Sequence, residues 1–386
     1  MALTPTGYAT GVTTSLQLIT GLKQEVDEMI LLLDDVALPL LRGTNFNGDP
    51  APLLGVGKPA TQTKVEWEEE VILAPSAAIT ATINSAAVTA VVGAAHQNKF
   101  QVGDRVRTPA GEIIIVTALA STDSLTITRA GAGSTAATIT SGDMLQIVGT
   151  VLTEGSDPGA SRVTDITMPY NVTQIFGPWK LSMSGTDQVI DRFGIKDQMG
   201  HQLMNRITEM AMQRENALLL GVRNVSSGIR TMGGIDNMIS TYSGNTDSSS
   251  TALTAASIDT NLNLNYLNGH TPMDLLVNPQ RLSTLNDIAN TAILRTDTME
   301  SARGRKRVTY VQTEHGDVQI IRSRYAPLSQ AWLVTFARMQ RRVMRPMVVE
   351  QLAKTGDADN LMLVCEETLQ VRGASQFTRY TGLTTA

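Results

Sequence analysis

The feature that most constrains this chain is a long helical stretch in its middle, from Thr186 to Gly221. Thr186-Asp187, just after Ser184-Gly185, offers an oxygen that can accept an orphan backbone N–H at a helix start. A short turn follows, punctuated by Phe193-Gly194, and Ile195 to Leu220 then runs without proline and with Gly200 as its single glycine. Met199, Leu203, Ile207, Met210, Ala217 and Leu218 fall at the three- and four-residue spacing of one helix face. Asp197, Asn205, Glu209, Gln213 and Glu215 lie largely off that stripe. Gly221 is expected to close the helix in a left-handed cap. At ~1.5 Å per residue such a helix spans about 35 to 40 Å. With β-type sequence on both sides, it reads as the backbone of a thin, extended subunit.

A chain of 386 residues exceeds one small core, so two or three lobes are expected. With 42% hydrophobic and 17% charged residues it can bury a core, and wholesale disorder is excluded. Aromatics are only 4%, while Ala, Thr, Ser and Gly abound, which favours flat, close-packed β surfaces over deep aromatic pockets. A net charge of −5 argues against a dedicated nucleic-acid binder. Cys365 stands alone, which excludes a disulfide framework and a thiolate metal site. The N-terminus shows no basic region followed by an apolar run, and no window reaches ~18 consecutive apolar residues. The chain is therefore expected to stay in a reducing cytosol, or in something assembled there, and not to span a membrane.

The charge is unevenly placed. Residues 1–100 carry five basic residues against ten acids, whereas residues 301–350 carry ten Arg or Lys against three acids, a net of +7. Two solvated faces of one monomer would account for this. So would head-to-tail complementarity between identical subunits, which builds rings and shells.

In chain order, residues 1–20 are Thr/Gly-rich, with little to bury. In the stretch from Leu22 to Leu41, Glu25, Asp27 and Glu28 precede an apolar run that Asp34-Asp35 and Pro39 stop. This reads as a helix on a flexible arm, either lacing to a neighbour or packed on its own core. Residues 43–60 are loop-like; Gly57-Lys58 is not a phosphate loop, because Pro52 and Pro59 stand where glycine and a hydroxyl are needed. Thr63 to Leu73 alternates, with Val65, Trp67 and Val71 on one face and Lys64, Glu66, Glu68 and Glu70 on the other. Its expected partner is Arg162 to Phe176, where Ile166, Met168, Tyr170, Val172 and Phe176 alternate. Between them, Ala77 to Val151 is rich in Ala, Thr, Val and Ile. Turns at Pro109-Ala110-Gly111 and Ser121 to Ser124 separate short strands, which indicates a small all-β barrel or sandwich inserted into a hairpin.

Beyond the long helix, Ser257-Ile258-Asp259 is expected to cap a helix through Leu267. Asp274 to Val277 reads as a buried strand, Gln280 to Asn290 as a helix after Pro279, and Arg303 to Arg307 as a basic loop. Val308 to Val311 and Val318 to Ile321 flank a turn, and Ala331 to Phe336 is another buried strand. Two strands between Met339 and Val371 flank the turn from Lys354 to Asp359.

No catalytic constellation emerges. His96, His201, His270 and His315 lie far apart in sequence, with no paired ligand at helical or hairpin spacing. There is no nucleophile elbow, no dinucleotide fingerprint, and no Cys/His pair. Asp357 and Asp359 lack the oxygen ligands of a calcium loop. No catalytic residue, cofactor or metal is expected. Asn171-Val172-Thr173 is a glycosylation sequon in form only. Arg338, Arg341, Arg342 and Arg345 could touch phosphates, or pair with acidic residues of a neighbouring surface; Glu66, Glu68 and Glu70 form a matching acidic row. These seven residues are the candidate intersubunit contacts.

The order of arm, hairpin, long helix, α/β lobe and returning strands resembles that of tailed-phage major capsid proteins with the Hong Kong 97-type fold. The tail Met344-Arg345-Pro346-Met347, Leu352 to Asp357, and Glu366-Glu367-Thr368-Leu369-Gln370-Val371-Arg372 is similar to the C-terminal segment of one such family. Gly21-Leu22-Lys23-Gln24-Glu25-Val26 is similar to its arm. The resemblance implies an α+β fold with a spine helix at residues 186–221, an extended β-hairpin loop and an inserted small all-β module. It implies an arm at 1–45, the hairpin at 46–76 and 152–178, and the β module at 77–151. A peripheral domain would take 179–227 and 331–375, and an axial domain 228–330 and 376–386. The hairpin would lie over an adjacent subunit, and the arm would cross to another. The function implied is a shell subunit, not an enzyme, forming hexamers and pentamers around packaged double-stranded DNA. Portal, scaffolding or decoration proteins are its possible partners, and assembly would occur in the host bacterial cytoplasm. An encapsulin-like compartment shell and an enzyme with an accessory β module are the alternatives.

Overall fold

A computed structural model describes residues 38–41, 53–70, 76–93, 99–120, 123–151, 154–155, 166–190, 197–249, 251–282, 310–354 and 356–384. The expected arm helix before Leu38, the Phe193-Gly194 punctuation, the basic loop Arg303 to Arg307 and most of the helix expected from Gln280 lie outside these residues. What is described of the latter is a single 3-10 turn, Pro279–Leu282.

The central helical stretch consists of two helices. α1 (Gly185–Val189) is capped by Ser184, whose Oγ accepts from the Asp187 amide at 3.2 Å. The cap is thus one turn-start earlier than Thr186-Asp187. α2 (Gln198–Leu220) is capped by Asp197, which accepts from the Gly200 amide at 3.0 Å. Gly221 ends α2 with φ −55° and ψ 142°, not in the left-handed region. Its glycine is required for another reason. A Cβ there would meet the Ala217 carbonyl at 2.5 Å and the Met232 carbonyl at 2.7 Å, because the chain folds back so closely that the Gly234 amide donates to the Gly221 carbonyl.

Three apolar cores organise the described residues. The first lies between α2 and a four-stranded sheet in the order Gly55–Val56, Met339–Leu352, Ala358–Val371, Gln174–Ser184. Met210, Leu218 and Leu219 of α2 pack there with Phe176, Leu363 and Leu369. Leu40 and Leu54 belong to the same core, so the end of the expected arm is seated on its own subunit.

The second core belongs to a six-stranded sheet ordered Asn245–Asp247, Thr378–Thr381, Gln330–Val334, Asp274–Val277, Gly316–Arg322, Tyr310–Thr313. Its central strands are apolar and buried from Leu275 to Val277 and from Ala331 to Val334 because both faces are covered. Leu276, Trp332 and Val334 point into the first core with α3 (Ile235–Thr241). Leu275, Val277 and Leu333 point into the second, against α4 (Ala255–Leu267). Thr254 caps α4 through a reciprocal box with Ser257, three residues before the expected cap. Ala331 to Val334, expected in the peripheral domain, belongs to the strand Gln330–Val334, which pairs with Asp274–Val277 and Thr378–Thr381 and sits inside this sheet.

The third core fills the inserted module. Six strands, ordered Ser76–Ala78, Met144–Thr150, Asp104–Arg107, Ile113–Leu119, Ser124–Gly131, Thr89–Val91, surround Phe100, Val106, Ile114, Val116 and Leu125. The Thr80 amide donates to the Val91 carbonyl at 2.8 Å and joins the two edges, so the sheet closes as a barrel. Inside it Glu112 pairs bidentately with Arg129 (2.8 and 2.7 Å) and accepts from the Ala130 and Ala137 amides. Burial alone would raise this carboxyl, but the Arg129 pair and the two amides outweigh it and hold it at about 2.

Because the unfolded chain takes up this proton near the ordinary value of 4.5 and the fold resists it to about 2, the barrel keeps this stabilisation above 4.5 and loses it as pH falls toward 2. Melting of excised residues 76–151 between pH 7 and 2.5 is expected to show that loss. Glu112→Ala is expected to cost about 3 to 5 kcal/mol at pH 7, since Arg129, its side chain buried, keeps the Asn84 and Ala137 carbonyls but loses its counter-ion.

Candidate assembly surfaces

The hairpin forms as expected where it is described. Lys64–Glu66 pairs antiparallel with Tyr170–Val172, and Glu69–Glu70 with Ile166–Thr167. The period of two sorts its residues. One face carries Val65, Trp67, Glu69 and Asn171, and it is fastened to the subunit. Trp67 Nε1 donates to Glu69 Oε1 at 2.8 Å, and that oxygen also accepts from the Gly373 amide. Asn171 donates to the Gly233 and Leu369 carbonyls and accepts from the Gly233 and Val172 amides. Fully buried, it is inaccessible to glycosylation.

The opposite face carries Glu66, Glu68 and Glu70, all exposed, with Ile166 opposite Glu70 and Tyr170 opposite Glu66. Ile166 and Met168 are 60% and 57% exposed, although alternation suggested a covered row. This face is an acidic border around bare apolar side chains, with Glu66 the one of the three in an ion pair among the described residues, to Lys64.

The four arginines of the basic cluster diverge. Arg341 is buried and donates to Glu367 Oε2 at 3.3 Å, so its charge is taken up inside its own subunit. Glu367 also accepts a bidentate pair from Arg214 of α2 at 2.7 and 2.6 Å. Arg345 donates to Glu366 at 3.0 Å from the other side of the sheet and stays half exposed. Arg230 and the Thr173 hydroxyl complete the Glu366 site at 2.8 and 2.7 Å. Burial would raise the Glu366 carboxyl, but the Thr173 hydroxyl and Arg345 hold it below the ordinary range. Arg338 donates to Gln376 Oε1, and Arg342 to the Lys58 carbonyl. The register puts Arg342, Arg345, Val348 and Glu350 on one face of their strand, beside Ile175 and Lys180 of the far strand. Ile175 and Val348 are 41% and 38% exposed. This second face is a basic border around bare apolar side chains.

Two features escape the sequence reading. Glu366 and Glu367 lie within a strand whose residues from Leu363 to Val371 are all buried; an adjacent acidic pair in such a stretch is the signal that buried cations await it. Glu215 was placed off the apolar stripe, yet it is fully buried. It falls four residues after Ala211 and four before Leu219, on the face that is buried. Its oxygens accept from the Leu40 and Leu41 amides at 2.9 and 3.1 Å and tie the N-terminal segment to α2. Burial pushes its carboxyl up to about 7, against those amides and Arg341 and Arg214. Cys365 is buried beside this network, its thiol pushed up to about 11, which makes it unreactive.

Among the described residues no three His, Cys, Asp or Glu side chains are placed to hold a metal ion, and no helix is long and apolar enough to cross a membrane.

A family model described as SU10 major capsid protein matches residues 4–384. No curated protein matches the chain. A chain of the cyanophage A-1(L) capsid asymmetric unit has 10% identity and a TM-score of 0.57, with 97% of this chain and 100% of that one covered. A chain from Microbacterium phage Oxtober96 has 11% identity and a TM-score of 0.51, covering 95% and 98%. One from Mycobacterium phage Bobi has 9% identity and a TM-score of 0.50, covering 97% and 99%. At these identities the likeness is one of fold: helices and sheets mixed, with strands predominant.

Glu367→Gln is expected to destabilise the unassembled subunit by about 3 to 5 kcal/mol in urea unfolding, because Arg214 and Arg341 lose their carboxylate. Glu68→Gln on the free hairpin face is expected to stay within about 0.5 kcal/mol. For Glu215 the folded subunit retains a proton that the unfolded chain releases from about 4.5, so its contribution falls as pH rises through about 7. Glu215→Gln is expected to flatten that decline in melts taken at pH 5.5 and 8.

Proposed function

Given that the chain belongs to the SU10 major capsid protein family, structural proteins of the icosahedral head shell and not enzymes, we propose that its two bordered apolar faces are the halves of one repeated contact. The protein self-assembles into a multimeric shell and is part of the virion capsid. That membership replaces the compartment-shell and enzyme alternatives. In the proposed contact, the hairpin face of Glu66, Glu68 and Glu70 around Ile166 and Met168 meets the sheet face of Arg342 and Arg345 around Ile175 and Val348 on an adjacent copy. The observation that carries this is the match of the two faces in charge and in exposed apolar residues. Heterologous contacts of this kind propagate around a ring, and many weak copies close a shell. Arg338 and Arg341, held inside their own chain, fall outside the contact.

The finer reading follows the same logic. The subunits form hexamers and pentamers around packaged double-stranded DNA, assembled in the host bacterial cytoplasm. DNA meets the inner surface without sequence specificity, and portal, scaffolding or decoration proteins complete the head. The four-stranded sheet with α2 serves as the peripheral domain and the six-stranded sheet as the axial domain.

Glu66, Glu68 and Glu70 changed together to Lys are expected to reduce particle yield in electron microscopy and light scattering, while the melting of the free subunit is unchanged. Normal particle formation by this variant at both low and high salt would refute the charge match.

A further inference from the structure

The returning strand of the hairpin is held along its outer edge by side chains, where a sheet would place another strand. Tyr170–Val172 has one strand partner, Lys64–Glu66, in a two-stranded sheet. The Trp67 and Thr173 amides donate across that pair, to the Pro169 and Thr63 carbonyls, at 3.1 and 2.8 Å. In an antiparallel pair such residues alternate with ones whose backbone groups point away from the partner. Tyr170, one residue on from Pro169, therefore turns its amide and its carbonyl outward. Both end on one atom. Tyr242 Oη accepts from the Tyr170 amide at 2.8 Å and donates to the Tyr170 carbonyl at 3.0 Å. Its second lone pair accepts from Arg223 Nη1 at 2.7 Å, which uses all that a phenol hydroxyl can offer. Arg223 Nη1 donates to the Tyr170 carbonyl as well, at 2.6 Å. The Arg223 guanidinium stands 4.0 Å from the centre of the Tyr170 ring, and the Lys64 ammonium 4.3 Å from it. Two residues further along the same edge, the Val172 amide and carbonyl are taken by Asn171 Oδ1 and the Thr368 hydroxyl.

These clamps have different owners. Thr368 belongs to the four-stranded sheet. Tyr242 closes the C-terminus of α3 and packs on the first core, and Arg223 follows the end of α2. A two-stranded hairpin is marginal in water by itself, so its direction is the one these clamps impose. We propose that Tyr242 is the positioning residue of the hairpin. Its hydroxyl, standing in for a neighbouring strand, fixes the angle at which the hairpin leaves the subunit and so aims Glu66, Glu68, Glu70, Ile166 and Met168 at the adjacent copy. This role rests on the hairpin contact put forward above. A hairpin without the clamp has to be ordered at every contact as the shell closes, a cost that each subunit repeats.

Tyr242→Phe keeps the ring on the core and removes the hydroxyl alone. In dissociated full-length subunits, amide exchange followed by mass spectrometry is expected to be about tenfold faster in peptides covering residues 166–172. Exchange in α2 and in Ala358–Val371 is expected to be unchanged. The subunit concentration needed for assembly is expected to rise by about tenfold, and particle diameters to spread. Unchanged exchange at 166–172 overturns the proposal, because the hydroxyl then does not hold the hairpin. Faster exchange there with uniform particles at the original concentration also overturns it, because the angle then does not matter. Exchange accelerated throughout the first core would make Tyr242 a plain packing residue and overturn it too. Tyr170→Phe is the control: it keeps the clamped backbone groups and the ring beneath Arg223, and is expected to match the unaltered chain in every readout. The charge variant of the hairpin separates the two readings. If Glu66, Glu68 and Glu70 changed to Lys still give shells while Tyr242→Phe does not, the charge match fails and the positioning role stands.

Discussion

Adjacent carboxylates on one strand, Glu366 and Glu367, hold together elements that hydrogen-bonded sheets alone would leave independent. Consecutive strand residues face opposite ways, so each carboxylate reaches a different side of the sheet. Glu367 grips Arg214 of α2 and Arg341 of the neighbouring strand; Glu366 grips Arg230 from the hairpin Asn224–Thr231 and Arg345. Taking such charges out of water is costly, and it is offset here by bidentate geometry and by the Thr173 hydroxyl. The arrangement fixes the rotation of α2 over the sheet more sharply than apolar packing does, since a guanidinium fork tolerates little misalignment. Four cations on two anions also leave a positive surplus, beside which Glu215 holds Leu40 and Leu41.

From that frame the surfaces follow. Alternation in the hairpin turns one face onto the subunit through Trp67 and Asn171, and the other is left with carboxylates around Ile166 and Met168. The main sheet likewise has its helix-covered face and an open one. Exposed side chains of this size on so regular a scaffold suit the contact proposed above, in which rigid elements present patches to another copy.

Much of this was legible from residue order. The period of two in Lys64 to Glu70 predicted the strand, its partner and its acidic face. The density of turns between residues 77 and 151 predicted a β module. The capping residues were harder to read. Ser184 and Asp197 each accept a backbone amide three residues on, and several Ser, Thr and Asp compete for that task in the sequence. Glu215 was misplaced because carboxylates are usually solvated, and only the return of Leu40 and Leu41 from 175 and 174 residues away supplies the amides that permit its burial. The arginine cluster read as one patch, but the strand's pleat and its irregular register between Val343 and Val348 divide it among an interior pair at Arg341, a contact of Arg338 with Gln376 and an open face. Pairing at such distances in sequence leaves no local trace.

The barrel has a consequence of a different order. Its first strand, Ser76–Ala78, lies beside its last, Met144–Thr150, so the polypeptide enters and leaves through neighbouring strands. Its core shares no residue with the other two. The hairpin therefore carries the insert as a socket carries a plug. Lineages could exchange it, lose it or enlarge it without renegotiating the wall beneath, and a foreign domain with neighbouring termini could be displayed there in every copy.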